Sequence, residues 1–137
     1  MKKYHILLLL TFTIMSIVSC KKEVNDGDWP PMKWEHSIPN FENNKIKVDA
    51  NGGVFVLKNI NYPAFYITDI LDCDSVVYFY NFESEHPTFE YKGNWFAVNK
   101  NKDTLKIEIQ PKNNDVNRSL AIHIQFLDAF YKLYIEQ

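Results

Sequence analysis

Hydrophobic and polar residues alternate along much of the chain after residue 31. The clearest case is TLKIEIQ, in which Leu105, Ile107 and Ile109 fall on one side and polar residues fall on the other. A period of two residues is typical of a strand with one buried face. LAIHIQF (120–126) and YKLYIEQ (131–137) repeat this pattern and predict two further strands.

Shorter runs in the first half of the chain predict more strands. KIKVDA (45–50) alternates, and the Asn51-Gly52-Gly53 sequence after it favours a tight turn. VFVLKNI (54–60) begins apolar on both sides, which predicts a central buried strand. AFYITDIL (64–71) and VVYFYNF (76–82) are rich in the β-branched and aromatic residues that strands favour. Short strands separated by turn residues predict an all-β fold, an immunoglobulin-like antiparallel β-sandwich.

The first twenty residues have a different pattern. Lys2 and Lys3 precede an apolar run over about 6–18, which is too short for a spanning helix and is typical of a secretory signal. Ser19 then stands directly before Cys20. This ending resembles the bacterial lipobox, which implies that Cys20 is acylated and becomes the mature N-terminus. A plain signal peptide cleaved nearby is the alternative.

The chain therefore divides into three predicted segments. Residues 1–19 form a lipoprotein signal peptide, residues 20–31 a lipidated tether that ends in two prolines, and residues 32–137 the sandwich domain. In Bacteroidetes-type lipoproteins, acidic residues just behind the cysteine mark export to the outer surface. Lys21 and Lys22 interrupt that signal here. We expect a lipid anchor in the outer membrane, with a lean toward the cell surface over the periplasmic face.

Charge and cysteine content narrow the range of partners. Without Lys2 and Lys3, the chain keeps 13 of its 15 basic residues against 17 acidic residues. No basic stripe remains, so we expect no nucleic-acid partner. We expect acyl chains, rather than attraction to anionic lipid, to hold the protein on the membrane. Cys73 has no partner for an intramolecular disulfide once Cys20 is acylated. A small buried or half-buried thiol is expected, with a reactive nucleophile as the alternative.

The second half of the domain carries a distinctive series of residues. They surround the TLKIEIQ strand and end the chain: Trp95, Val98, Pro111, Asn113, Arg118, Ile135 and Gln137. Together with Gly52-Gly53, their order resembles the BACON domain of Bacteroidetes over about 32–137. The resemblance implies an immunoglobulin-like sandwich and a carbohydrate-associated or spacer role. It implies no binding residues, because the shared positions are scaffold positions.

Aromatic side chains are the main candidates for ligand binding, at 15% of the chain. Tyr78 and Tyr80 fall on one side of VVYFYNF, and a sandwich strand buries only one side. If their row is exposed, these rings can stack on the C–H faces of sugars. Packing against the core or a partner protein is the alternative. Trp95 is expected in the core or at its edge rather than in a sugar platform.

No catalytic or metal-binding pattern stands out. The close pairs Asp72/Asp74 and Glu83/Glu85 lie beside turn residues, where solvated acids are ordinary, so they are weak candidates for a glycosidase pair. Asp69, Asp72 and Asp74 lack the spacing of a calcium loop, and the histidines lack zinc-ligand spacing. We expect no enzymatic activity, no cofactor and no metal.

These expectations combine into one functional prediction. The chain is a non-catalytic cell-envelope lipoprotein, attached to a membrane through its N-terminal lipid, with carbohydrate as the ligand. The alternative is a structural or protein-interaction subunit, or a spacer, of an outer-membrane assembly. The partner is then an envelope protein instead of a glycan.

Overall fold

The computed structural model describes residues 29–73, 75–79, 88–114 and 116–137. The predicted signal peptide and several candidate residues lie outside these ranges. They are Cys20, Asp74, Tyr80, Glu83 and Glu85.

Ten strands make up the regular structure of the described ranges. They are β1 (Trp34–His36), β2 (Lys45–Lys47), β3 (Gly53–Asn59), β4 (Tyr66–Asp72), β5 (Ser75–Tyr78), β6 (Thr88–Lys92), β7 (Phe96–Asn101), β8 (Thr104–Ile109), β9 (Ser119–Phe126) and β10 (Ala129–Glu136). Among the residues described, no helix is long and apolar enough to cross a membrane.

The strands form two sheets of five. The first sheet has the order β1-β3-β8-β7-β6, and the second has the order β2-β10-β9-β4-β5. Neighbouring strands are antiparallel except for β2, whose residues 45–47 run parallel to residues 134–136 of β10. The predicted all-β sandwich is confirmed. The parallel pair departs from the strictly antiparallel expectation, because a pairing between distant segments leaves no local pattern.

The core lies between the sheets and is built from the alternating strands. Leu105, Ile107 and Ile109 of β8 are all buried, as their alternation predicts. Strands β9 and β10 contribute in the same way, with residues Leu120, Ile122, Ile124, Leu133 and Ile135. Alternation therefore identifies the inner face of each of these strands correctly.

Two expectations about burial were wrong. The VFVLKNI segment is β3, next to the edge of the first sheet, and its Val54 and Val56 side chains are 59% and 47% exposed. Valine favours a strand whichever way it points, so an apolar run alone does not prove burial on both faces. Cys73 is exposed rather than half-buried, because it occupies the turn between β4 and β5 with φ at 53°.

The residues before β1 contact the sandwich. Asn61, in the β3–β4 connection, accepts a hydrogen bond from the Lys33 amide at 2.8 Å and donates one to the Pro31 carbonyl at 3.0 Å. The Tyr62 hydroxyl donates to the Pro30 carbonyl. The last residues of the predicted tether are therefore held against this end of the molecule.

Candidate functional site

The outer faces of the two sheets differ in chemistry. The first sheet presents charged and amide side chains, among them the Lys106–Glu108 ion pair at 2.5 Å on β8. Glu35 and Lys58 oppose each other across β1 and β3, and Glu90 of β6 lies on the same face. We call this surface, between β1 and β6, the charged face. Val54 and Val56 are its exposed apolar members.

The second sheet also carries charged side chains, Lys132 and the Lys45–Glu136 ion pair at 2.6 Å, but it adds more aromatic and aliphatic ones. Buried residues alternate with outward-facing ones on β9 and β10 and, apart from a bulge between Ile67 and Asp69, on β4, so the register defines the outer surface. We call this surface the aromatic face. Its apolar members, exposed or half-buried, are Tyr66, Leu71, Val76, Tyr78, Phe130 and Tyr134.

A polar row crosses the middle of the aromatic face. Pairing between strands places Lys132, His123, Asp69 and Tyr78 side by side on β10, β9, β4 and β5. His123 Nδ1 lies 2.7 Å from Asp69 Oδ1, and the Thr68 hydroxyl donates to Asp69 Oδ2 at 2.9 Å. The Asp69 side chain is only 13% exposed. This bonded pair provides fixed polar groups between flanking apolar rows.

Apolar side chains flank the polar row on both sides. On one side, Tyr134 of β10 aligns with Ala121, Leu71 and Val76 on the next three strands. On the other side, register pairs join Phe130 to Gln125 and Gln125 to Tyr66. The result is a surface with flat rings at its margins and hydrogen-bonding groups at its centre.

The relief of the aromatic face is shallow. A groove of about 190 Å³ runs beside Tyr134, lined also by Leu71, Cys73 and Ala121. Pockets that enclose drug-sized ligands measure about 300–1,000 Å³. Larger open clefts, of about 540 and 490 Å³, lie at the β2 edge of the same sheet beside Lys47. Around its rings, the aromatic face therefore offers an open platform rather than an enclosed reaction chamber.

The structure brings one predicted ligand residue onto this platform. Tyr78 lies on β5 at the edge of the second sheet, and its side chain is 59% exposed. Val76 is exposed on the same side of the strand, while Phe79 points inward and its ring lies 4.8 Å from that of Phe89. The second predicted residue, Tyr80, and the predicted lipidation site, Cys20, lie outside the described residues.

Trp95 belongs to the core, as predicted. It is 8% exposed, and its indole Nε1 donates to Asp72 Oδ1 at 2.8 Å. The Arg118 guanidinium lies 5.6 Å from the centre of the indole ring, and the Phe96 ring meets it edge-on. These contacts close one end of the sandwich and leave no flat face of Trp95 open to a sugar.

The acidic residues of β4 do not converge on a common site. Asp69 bonds His123 on the aromatic face, whereas Asp72 bonds Trp95 at the end of the core. In the ranges that the structure describes, no cluster of three or more acidic, histidine or cysteine side chains could hold a metal ion. The calcium interpretation of the Asp69–Asp74 segment therefore lacks support from its described members.

Several residues of the aromatic face escaped the sequence analysis. His123, Phe130 and Tyr134 come from β9 and β10, about fifty residues beyond Tyr78 along the chain. Alternation carries part of the signal: if Leu133 and Ile135 point inward, Tyr134 must point outward. What alternation cannot show is that β9 and β10 lie in the same sheet as β5, because that pairing joins distant segments.

Comparison with known proteins supports the fold. No model of a known protein family matches the chain. No curated protein matches it either. An NMR structure of a protein from Bacteroides thetaiotaomicron is similar, with a TM-score of 0.69 and 25% sequence identity. The match covers 86% of this chain and 95% of that protein. Since nearly the whole of that protein superposes, the two share the same sandwich.

Proposed function

We propose that this protein is a non-catalytic, lipid-anchored envelope lipoprotein whose aromatic face binds carbohydrate. The observation that carries the proposal is the contrast between the two faces. The first sheet exposes Val54 and Val56 among charged groups. The second sheet also carries the Lys45–Glu136 ion pair, but it presents the rings of Tyr78, Phe130 and Tyr134 around the His123–Asp69 pair. Exposed rings are costly to leave in water, so their concentration on one face favours a binding role.

The chemistry of this face suits a sugar chain. Pyranose rings offer an apolar C–H face, which stacks on an aromatic ring, and hydroxyl groups at their edges. Tyr78 and Tyr134 supply rings, while Lys132, His123 and Gln125 supply donors and acceptors between them. The width from β10 to β5 spans three strand spacings, or about 14 Å. That width favours an extended oligosaccharide over a single sugar.

The absence of a catalytic function is also part of the proposal. A glycosidase needs two carboxylates that face the same glycosidic bond. Of the carboxylates described on β4, Asp69 and Asp72 lie on different surfaces and each already accepts a hydrogen bond. An open platform of this kind retains a ligand without excluding water from it.

The lipid anchor and outer-membrane location rest on the N-terminal sequence, where Ser19-Cys20 follows the apolar run. The similar structure from a Bacteroides species accords with a Bacteroidetes-type lipoprotein. The resemblance to BACON domains, carried by Trp95, Pro111 and Arg118, supports the carbohydrate-associated role. We place the protein in the outer membrane, with the cell surface favoured.

Glycan binding is tested with the mature protein on an array of bacterial, plant and host oligosaccharides. We expect binding that Tyr78→Ala weakens at least tenfold, and that Tyr78→Ala with Tyr134→Ala abolishes. Tyr80→Ala tests the other sequence-predicted residue in the same assay. Since Tyr78 and Tyr134 are exposed, these changes should leave the melting temperature unaltered.

A matched control lies on the opposite sheet. Val56→Ala removes a comparably exposed apolar side chain from the charged face and should leave glycan binding unchanged. The proposal is refuted if the wild-type protein binds no glycan, or if Val56→Ala weakens binding as much as Tyr78→Ala does.

A protein partner is the second candidate. Val76, Leu71 and Phe130 are apolar without a polar group of their own, and such side chains favour a protein surface over a sugar. In that case the wild-type protein would retain a specific envelope protein in a pull-down from solubilised membranes. The Phe130→Ala and Val76→Ala variants would lose it. A partnerless, monodisperse lipoprotein would contradict this candidate.

A further inference from the structure

We propose that the end of the sandwich where the tether arrives rests directly on the lipid surface. We call this end the anchor end and define it by Trp29, the Ile60–Tyr62 connection and the Phe126–Leu127 turn. The inference rests on the proposed acylation of Cys20 and adds a second, non-covalent membrane contact. It assigns a role to exposed apolar residues that glycan binding does not use.

Trp29 is fixed to this end of the molecule. Its ring centroid lies 6.4 Å from that of Tyr62 and 6.2 Å from that of Phe126. The Tyr62 and Phe126 rings pack with centroids 4.8 Å apart and planes tilted by 33°, and the Tyr62 hydroxyl donates to the Pro30 carbonyl next to Trp29. The chain therefore leaves the sandwich from a defined place rather than from a loose end.

Exposed apolar side chains surround that exit. Trp29 is 42% exposed, Ile60 is 58% exposed and Leu127 is 48% exposed. The Ile60 amide donates to the Lys33 carbonyl at 3.0 Å, which holds this residue beside the exit segment. Leu127 follows Phe126, whose ring packs on Trp29. Phe130 of β10, 68% exposed, belongs to the aromatic face and is not counted in the anchor end.

The short spacing to the predicted anchor keeps this end close to the bilayer. Nine residue steps separate Cys20 from Trp29, a reach of at most about 30 Å. The eight residues of β10 span about 27 Å, so the opposite end of the sandwich lies nearly a full tether length farther away. Contact by that opposite end would require the tether to run back along the whole molecule.

The composition of the anchor end fits a bilayer interface. Tryptophan concentrates where hydrocarbon meets headgroups, and leucine, isoleucine and phenylalanine insert beside it. The nearest described charges are mixed: Lys33, whose backbone bonds Ile60 and Asn61, Asp128 next to Leu127, and Lys102 with Asp103 in the β7–β8 turn. A contact driven by apolar insertion should therefore occur on neutral as well as anionic lipid.

Fluorescence quenching tests the contact directly. The lipidated protein is reconstituted into phosphatidylcholine vesicles that carry bromine on their acyl chains, since bromine quenches tryptophan at contact. Trp34 is half-buried and Trp95 is buried, so the quenching should come from Trp29. We expect brominated vesicles to dim the emission, and Trp29→Phe to remove most of that effect.

Charge substitutions supply a second readout that keeps tryptophan in place. Ile60→Glu with Leu127→Glu should abolish the quenching, because each carboxylate resists transfer into the interface. Val54→Glu with Val56→Glu makes the same change on the charged face and should retain full quenching. All of these side chains are exposed, and circular dichroism verifies that each variant is folded.

The outcomes separate the membrane contact from the anchor. Protein that floats with the vesicles without quenching keeps its lipid anchor and overturns the contact. Protein that fails to float refutes the anchor, and the contact with it. Sedimentation that shows a dimer dissociated by Leu127→Glu assigns the patch to a second copy instead and likewise overturns the proposal.

Discussion

At the scale of single residues, Trp95 shows how one aromatic side chain can close a core. Its indole is buried and bonded to Asp72, so Trp95→Ala leaves a cavity and an unpartnered carboxylate. We expect the free energy of unfolding to fall by about 3–5 kcal/mol in urea titrations. Trp95→Phe should recover most of the packing without the hydrogen bond. An unchanged midpoint for Trp95→Ala would contradict its role in the core.

Tyr131 provides a prediction about alkaline pH. Burial beside the Trp34 ring, with centroids 5.2 Å apart, raises the pKa of this phenol from 10.0 to about 12. Between these values the unfolded chain loses the proton while the folded protein retains it. Stability contributed by the neutral phenol is therefore complete below pH 10 and is lost as the pH rises toward 12.

The measurement compares urea midpoints of the wild type and Tyr131→Phe across pH 9 to 12, a range set by the two pKa values of Tyr131. The wild type should lose stability more steeply than the variant, since phenylalanine has no proton to release. Parallel curves would show that other groups cause the alkaline loss.

At the scale of elements, the turn before β3 depends on one glycine. Gly52 has φ at +73°, and a Cβ there would lie 2.2 Å from the Ile109 carbonyl oxygen. Gly52→Ala must therefore displace backbone at the β3–β8 pair, and we expect a loss of at least about 1 kcal/mol in unfolding free energy. Gly53→Ala is the matched control, because its Cβ would meet only the Phe55 ring at 3.3 Å. Equal effects of the two changes would rule out the strain argument.

The elements also differ in how well the sequence predicts them. Strands β8, β9 and β10 alternate over six to eight residues, which identifies both the strand and its buried side. Strands β1, β6 and β7 were not predicted from the sequence. Strand β1 has only three residues, and β7 places Lys100 at a buried, inward position where alternation predicts an apolar residue. Burial lowers the pKa of Lys100. Because a lysine stands where alternation predicts an apolar residue, the sequence pattern of this strand is interrupted.

At the scale of the whole molecule, the sequence predicts the fold class better than it predicts the candidate site. Repeated alternation is enough for a sandwich, because every strand must bury one side against a second layer. The aromatic face depends on the strand order β2-β10-β9-β4-β5, which brings His123 and Tyr134 beside Asp69 and Tyr78. Strand order follows from the packing of distant segments, and no short stretch of sequence encodes it.

The position of β10 between β2 and β9 bears on when the protein can fold. Lys45 of β2 and Glu136 of β10 form an ion pair at 2.6 Å although they are 91 residues apart. The second sheet therefore cannot be completed until its last strand has been synthesised, and contacts at such separations form slowly. A chain directed to the secretion machinery must remain unfolded until it has crossed the inner membrane. If the chain is exported as proposed, this strand order keeps the second sheet incomplete until β10 has been synthesised.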